Sequence, residues 1–357
     1  MGIEYDNREF IQILFSLEGS VIPLTIVPAI ITLIISIIAM VIYFLFGYFV
    51  EVTGHNMVGF VLGFLLIFRT DLSVKKYEEG QKAFRMIDSN ICSMFNEICG
   101  YYHGDSEEDY KNRLQFRRYF MILRGLIRQH IRDETNLKEI SVLTREERRL
   151  LRPHQERPRV VMQWIFKLYN KCWDQEKFKD DNFYSVDEAL NEISRNRTEC
   201  IRIKTSPLPF PYAQITTIFL FVYLLSLPFA LSQVLGWYSP IVCPLITMAF
   251  WGINEVALEI EDPFGDDPND LDLQDWEYEL DRELGGFHSV RDPQAPLFLM
   301  PENAEEEEED AKDSKDSKDG SGSKEKERRG AKEDLTVTEK YMAPEESIED
   351  QSQIIGL

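Results

Sequence analysis

The stretch MVGFVLGFLLIFRTDLSVKKYEEG, residues 57–80, passes from membrane-like to water-like chemistry inside one helical pattern. Its apolar half places Phe60, Phe64 and Phe68 at i, i+4 and i+8, which puts the three rings on one helical face. Beside that stripe Gly59 and Gly63 form a small-xxx-small pair, the pattern that lets membrane helices approach closely. From Arg69 onward charges accumulate: Arg69, Asp71, Lys75, Lys76, Glu78 and Glu79. The apolar part, Met57 to Phe68, is shorter than the ~20 residues a lipid-exposed span requires. A helix shielded by its neighbours is free of that requirement, so the Phe stripe is expected to face a shared axis.

Upstream, Val21 to Val50 contains no charged residue and is longer than a bilayer core needs, which predicts a first transmembrane helix with Pro23 and Pro28 near its start. A short polar link, Glu51 to Asn56, leads back to the membrane. Downstream, no residue between Tyr212 and Glu255 is charged. The turn at Gly236 to Pro240, with Trp237 and Tyr238 as interfacial aromatics, divides that block in two. The expected spans are residues 21–50, 57–70, 213–235 and 240–258. Pro228 and Pro244 fall inside the last two, where neighbouring helices satisfy the carbonyls they free.

Between the apolar blocks, residues 71–206 are water-soluble in character, with apolar spacings of three and four over Tyr77 to Ile98, Asp109 to Ile131, Arg157 to Trp173 and Val186 to Ile203. A bundle of amphipathic helices is expected. Arg113, Arg117, Arg118, Arg124, Arg128, Arg132, Arg148, Arg149 and Arg152 make this block basic, and the positive-inside rule places it on the cytosolic or stromal side. From about Gly286 the composition becomes acidic and low in complexity, which predicts a tail over 286–357 that is disordered or orders only on binding, either a partner-binding arm or a plain solvated segment.

The formal net charge of −22 argues against nucleic-acid binding. Cys92, Cys99, Cys172, Cys200 and Cys243 show no CxxC or Cys/His spacing, so neither a disulfide framework nor a zinc site is expected. The acidic N-terminus predicts no secretory signal or transit peptide, and Asp6 disfavours myristoylation. His55, His103, His130, His154 and His288 are isolated from one another, and nothing suggests catalysis. Asp262, Asp266, Asp267 and Asp270 offer the hard oxygen ligands that Ca²⁺ takes, although without EF-hand spacing. The plainer alternative is that Asp266, Asn269 and Asp270 cap a helix starting near Leu271, while Glu255 and Glu259 pair with cytosolic cations.

FVLGFLLIFRT, KKYEEGQKAF, PLPFPYAQ, LPFAL and above all EDPFGDDPNDL resemble the bestrophin family of anion channels, in the wide sense that includes bacterial, fungal and plastid members. The resemblance covers most of residues 8–285, and the EDPFG segment is similar to the microbial and plastid branch rather than the animal one. Asp71 to Tyr77 departs from the Asn-rich turn and Trp that members commonly carry there. The resemblance implies an all-α membrane protein with four transmembrane helices extended by a cytosolic helical bundle, assembled as a homopentamer around a central pore. It further implies a neck at Phe60, Phe64 and Phe68, with Asn56, Phe60 and Phe64 as a rival register, and a cytosolic aperture at Leu208. Chloride is the expected ion, bicarbonate a second candidate, and Ca²⁺ the one candidate cofactor. A membrane-anchored scaffold recruiting partners is the competing function. Plasma membrane, plastid thylakoid and other organelle membranes all fit.

Overall fold

The structure is a computed structural model and describes residues 10–178 and 183–299. The tail beyond residue 299, with either of its expected roles, lies outside the described residues. Ten α-helices follow one another among the described residues, with no strand: α1 (Phe10–Phe15), α2 (Ile22–Phe46), α3 (Val52–Tyr101), α4 (Glu107–Arg132), α5 (Arg145–Leu151), α6 (Arg157–Asp174), α7 (Phe183–Thr205), α8 (Phe210–Leu235), α9 (Ser239–Glu259) and α10 (Leu273–Arg291).

The boundaries are local chemistry. Gly47 ends α2 in the left-handed conformation at φ 66°, its N–H donating to the Tyr43 carbonyl. Ser106 and Asp109 form a reciprocal capping box at the start of α4, as do Thr144 and Glu147 at α5. The expected polar link at Glu51 to Asn56 is helical from Val52, so the pore-helix candidate and the following amphipathic segment are one helix of 50 residues. At 1.5 Å per residue that helix is about 75 Å long. No proline, capping residue or glycine turn interrupts it.

Among the described residues three helical stretches are long and apolar enough to cross a bilayer: α2, the first part of α3, and the region Val186–Glu259, which contains α8 and α9. A three-residue 3₁₀ turn, Gly236–Tyr238, joins α8 to α9, and it exposes Trp237 and Tyr238 as expected of interfacial aromatics. Pro28, Pro228 and Pro244 all lie inside continuous helices. Both α2 and α3 pack on α8 and α9 but share no substantial contact with each other, so α8 and α9 separate them. A small core of Leu62, Leu66, Leu220, Leu224, Leu227 and Cys243 holds α3 to its two neighbours.

The second core is larger and lies where α3 runs on beyond its apolar part. Phe84, Ile87, Phe95 and Ile98 of α3 pack with Phe116, Phe120 and Leu123 of α4, Ile165 of α6, Ile193 of α7 and Leu284 of α10. Helix α4 is buried on most of its circumference, and four of its arginines are inside the protein. Arg113 grips Asp292 through two bonds of 2.6 and 2.7 Å. Arg117 meets Asp281 at 2.7 Å, and Arg124 meets Asp88 at 2.6 Å. Arg128 lies 3.2 Å from Glu277. In the sequence these residues count only toward the basic character of the block. In the structure they are core groups, because each finds a carboxylate from a segment distant in sequence. All five cysteines are free and buried.

The structured chain also extends past Gly286, where composition placed the start of the tail. Helix α10 runs to Arg291, and the segment after it folds back over the bundle. Arg117 donates to the carbonyls of Pro296 and Leu297, and the Leu299 amide donates to Asp281 Oδ2 at 2.7 Å. This strap passes so close to α10 that a Cβ on Gly285 would stand 1.8 Å from the Leu297 carbonyl oxygen. Gly285→Ala is therefore expected to displace the strap and lower stability by about 1–3 kcal/mol, the usual size of an overpacking penalty. Gly286→Ala, whose Cβ would meet nothing within 4 Å, should leave the melting temperature in detergent unchanged.

Candidate functional site

Among the described residues no element covers the face of α3 turned away from α8 and α9. Phe60, Phe64 and Phe68 stand on it with 79%, 55% and 46% of their surface exposed. Phe64 and Phe68 contact edge to face, with centroids 4.5 Å apart. At about 100° per residue, Phe60, Phe64, Asp71, Lys75, Glu78 and Lys82 fall within roughly 60° of arc, and all six are exposed. The rival neck residue Asn56 is exposed as well. One free face therefore changes from aromatic to charged without changing direction. The free face of α2, by contrast, is aliphatic, with exposed Leu24, Val27, Ile31, Ile34 and Ile38.

The opposite face of α3 explains why the stripe keeps its orientation. His55 stacks on Tyr223 at 4.3 Å and lies 3.2 Å from the Ser226 hydroxyl. Gly59 lets Tyr223 come close, since a Cβ there would sit 2.8 Å from its ring, whereas Gly63 meets nothing in the subunit. The Tyr212 hydroxyl donates to the Leu65 carbonyl at 2.6 Å, and Arg69 donates to Asn254 Oδ1 at 2.6 Å. Four polar or close-packed contacts from α8 and α9 thus fix the rotation of α3 about its axis.

Leu208 is partly buried in the link between α7 and α8. Its amide donates to Glu261 Oε1 at 2.8 Å, and Lys76 Nζ is 3.6 Å from that same oxygen. Leu208 is thereby tied to the neighbourhood of Lys76, about two helical turns beyond Phe68. The partnership between Glu261, Lys76 and the Leu208 amide was not legible in the sequence, because nothing local pairs residues 76, 208 and 261.

The acidic turn after α9 is a joint. Pro263 and Phe264 fit against Gly80 of α3, where a Cβ would meet them at 2.9 and 3.1 Å. Phe264 also faces Phe84, with centroids 6.4 Å apart. Asp270 is buried, and its Oδ2 accepts from the Asp267 amide at 2.7 Å. Asp266 pairs with Arg132 at 2.6 Å, and Asp262 Oδ1 accepts from the Phe264 amide at 3.3 Å. Asp267 is exposed. Among the described residues no group of three His, Cys, Asp or Glu side chains is placed to hold a metal. The helix-capping expectation needs correction: α10 starts at Leu273 and its cap is Asp272, which accepts from the Asp275 amide at 2.9 Å. Asn269 instead donates to the Gly19 carbonyl, tying the turn to the chain before α2, and to Glu259 Oε1.

Comparison with known proteins bears on this arrangement. A family profile described as bacterial/fungal bestrophin protein matches residues 3–285. The chain belongs to the bestrophin family. A voltage-dependent anion channel-forming protein of Nostoc sp. is 28% identical to this bestrophin over 269 residues, 75% of this chain and 88% of that one. A protein of the same description from Synechocystis sp. is 25% identical over 268 residues, covering 74% and 87%. The crystal structure of a bacterial bestrophin homolog from Klebsiella pneumoniae superposes with a TM-score of 0.67 at 21% identity, covering 74% of this chain and 98% of that one. The all-helical fold is thus shared with solved bestrophins, and the chain is a membrane protein.

Burial pushes the Asp270 carboxyl up to about 6 from an ordinary 3.8, and the nearby Asp267 and Asp262 add to the effect against the Asp267 amide and Arg132. Between those two values the folded state of this bestrophin binds the extra proton, so Asp270 stabilises the fold as pH falls and costs stability once ionised above about pH 6. Asp270→Asn removes that cost. The variant's melting temperature should exceed wild type by most at pH 7, and the difference should shrink as the pH is lowered toward 4.5. A gap that widens on acidification would contradict the assignment.

Proposed function

We propose that this bestrophin forms an anion channel, a homopentamer in which one α3 from each of five copies surrounds a central pore. The observation that carries the reading is the free face of α3, where an uncovered Phe stripe continues in line into an uncovered charged face on one unbroken helix. Lipid would suit the aromatic half of that face and not the charged half, whereas a pore opening into a water-filled vestibule suits both. The names of the cyanobacterial relatives support the same class of function.

In this arrangement α2, α3, α8 and α9 supply four crossings, and α2 meets lipid. Phe60, Phe64 and Phe68 form the neck, and Leu208 forms the second constriction. Rings of apolar side chains gate by dewetting, and the positive edges of the aromatic quadrupole face a passing anion. Chloride is the main permeant ion, with bicarbonate as the second. Conduction is passive and involves no bond chemistry.

Planar-bilayer recording of the purified protein tests the proposal. A chloride current is expected, with iodide above chloride and chloride above fluoride, because dehydration at an apolar neck penalises strongly hydrated ions. Changing Phe60, Phe64 and Phe68 together to Ala should flatten that order. A pentamer that passes no anion current in either form would favour a membrane-anchored scaffold. Recording in EGTA tests the acidic turn as a calcium site. Three of its four carboxylates already have protein partners, so the current is expected to persist without calcium.

A further inference from the structure

Six arginines are buried among the described residues: Arg69, Arg113, Arg117, Arg124, Arg128 and Arg197. Five of them have a carboxylate close by, Asp292 at 2.6 Å, Asp281 at 2.7 Å, Asp88 at 2.6 Å, Glu277 at 3.2 Å and, for Arg197, Glu156 at 2.9 Å. Arg69 is the exception. It is 4% exposed, its Nη1 donates to the amide oxygen of Asn254, and its Nε has no partner. It forms no ion pair, and it directly follows Phe68 at the end of the apolar half of α3.

Burying a guanidinium without a counter-charge is expensive, and this chain supplies the counter-charge everywhere else. The partner at 254 is an amide, although the same helix α9 carries Glu255 and Glu259. Glu255 directly follows Asn254 in α9 yet forms no ion pair, and Glu261 at the end of the same segment is engaged by Lys76 and the Leu208 amide. The neutral partner at 254 is one atom different from a carboxylate of the same shape. A side chain whose only purpose was to tie α3 to α9 would do so at least as well with aspartate at 254, because charge-assisted hydrogen bonds are the stronger ones.

We propose that Arg69 is left uncompensated so that five copies of its charge, one per subunit, hold positive potential at the inner end of the neck and select anions over cations. The proposal rests on the pentameric channel reading. Arg69 points away from the Phe stripe, so its charge stands about one helix diameter, ~10 Å, from the pore-facing side. At that distance it touches no permeating ion, and it acts through protein and hydrocarbon that screen far less than water. The Phe rings provide an apolar constriction, and Arg69 provides the sign. It is thus a selectivity determinant that does not line the pore.

The test is the reversal potential in asymmetric KCl, which gives PCl/PK. Arg69→Gln removes the charge, Asn254→Asp cancels it while keeping the α3–α9 bond, and Arg69→Lys keeps it. The first two should lower PCl/PK by at least about tenfold, the size expected of even one unit charge acting over ~10 Å through protein, and Arg69→Lys should hold the wild-type ratio. Where Arg69→Gln fails to assemble, Asn254→Asp decides alone, since size and hydrogen bonding are preserved. An anion-selective wild type with an unchanged ratio in Asn254→Asp overturns the role of Arg69 and leaves the channel reading standing. A wild type that passes no current overturns both.

Discussion

One helix of 50 residues has to satisfy hydrocarbon along its first part and water along the rest, and a rigid rod cannot turn a different face to each neighbour. Its covered side holds the same direction throughout, through Leu62, Leu66, Ser73, Gly80, Ile87, Ile91 and Ile98. In the apolar part α8 and α9 cover that side; farther on, α4, α7, α10 and the Pro263–Phe264 turn take over. The uncovered side is equally constant, so an aromatic stripe and a charged stripe end up collinear. A channel wall needs that continuity, and no loop or hinge could supply it as cheaply.

The larger core sets ion pairs among its apolar side chains. Arg113, Arg117, Arg124 and Arg128 lie along one helix and reach Asp292, Asp281, Asp88 and Glu277, binding α3, α10 and the strap after α10 to one another. Such pairs contribute little net stability compared with packed hydrocarbon, but removing one partner costs about 3–5 kcal/mol because the other is stranded. The consequence is register. Arg117 cannot bond the Asp281 side chain and the Leu297 carbonyl unless α10 and the strap both occupy their observed positions. Against this background Arg69 stands out, buried with an amide where the other five buried arginines among the described residues have a carboxylate.

Much of this was legible in the amino-acid order. The uncharged runs at Val21 to Val50 and Tyr212 to Glu255 can only be stable away from water, and the i, i+4, i+8 spacing of Phe60, Phe64 and Phe68 puts them on one face whatever surrounds the helix. Helix ends were less legible. The step from Glu51 to Asn56 looks polar enough for a link, but nothing in it stops a helix, and the chain is helical from Val52. The acidic run after α9 looked like ligands or caps, and two of its carboxylates, Asp262 and Asp270, accept from backbone amides of a turn that packs against Gly80.

The sequence by itself determined the helical class, the apolar segments and the membership of each helical face, because those follow from periodicity and from the cost of placing charge in hydrocarbon. Only the tertiary structure decided which faces stay uncovered and which charges are neutralised. Lys76 meeting Glu261, four arginines of α4 each finding an interior carboxylate, and Asn254 standing where a carboxylate would cancel Arg69 all join residues far apart in the chain. Pairings of that kind carry no local pattern. Each is set by the packing of whole helices, and a residue's charge can act on function only through the neighbours that packing gives it.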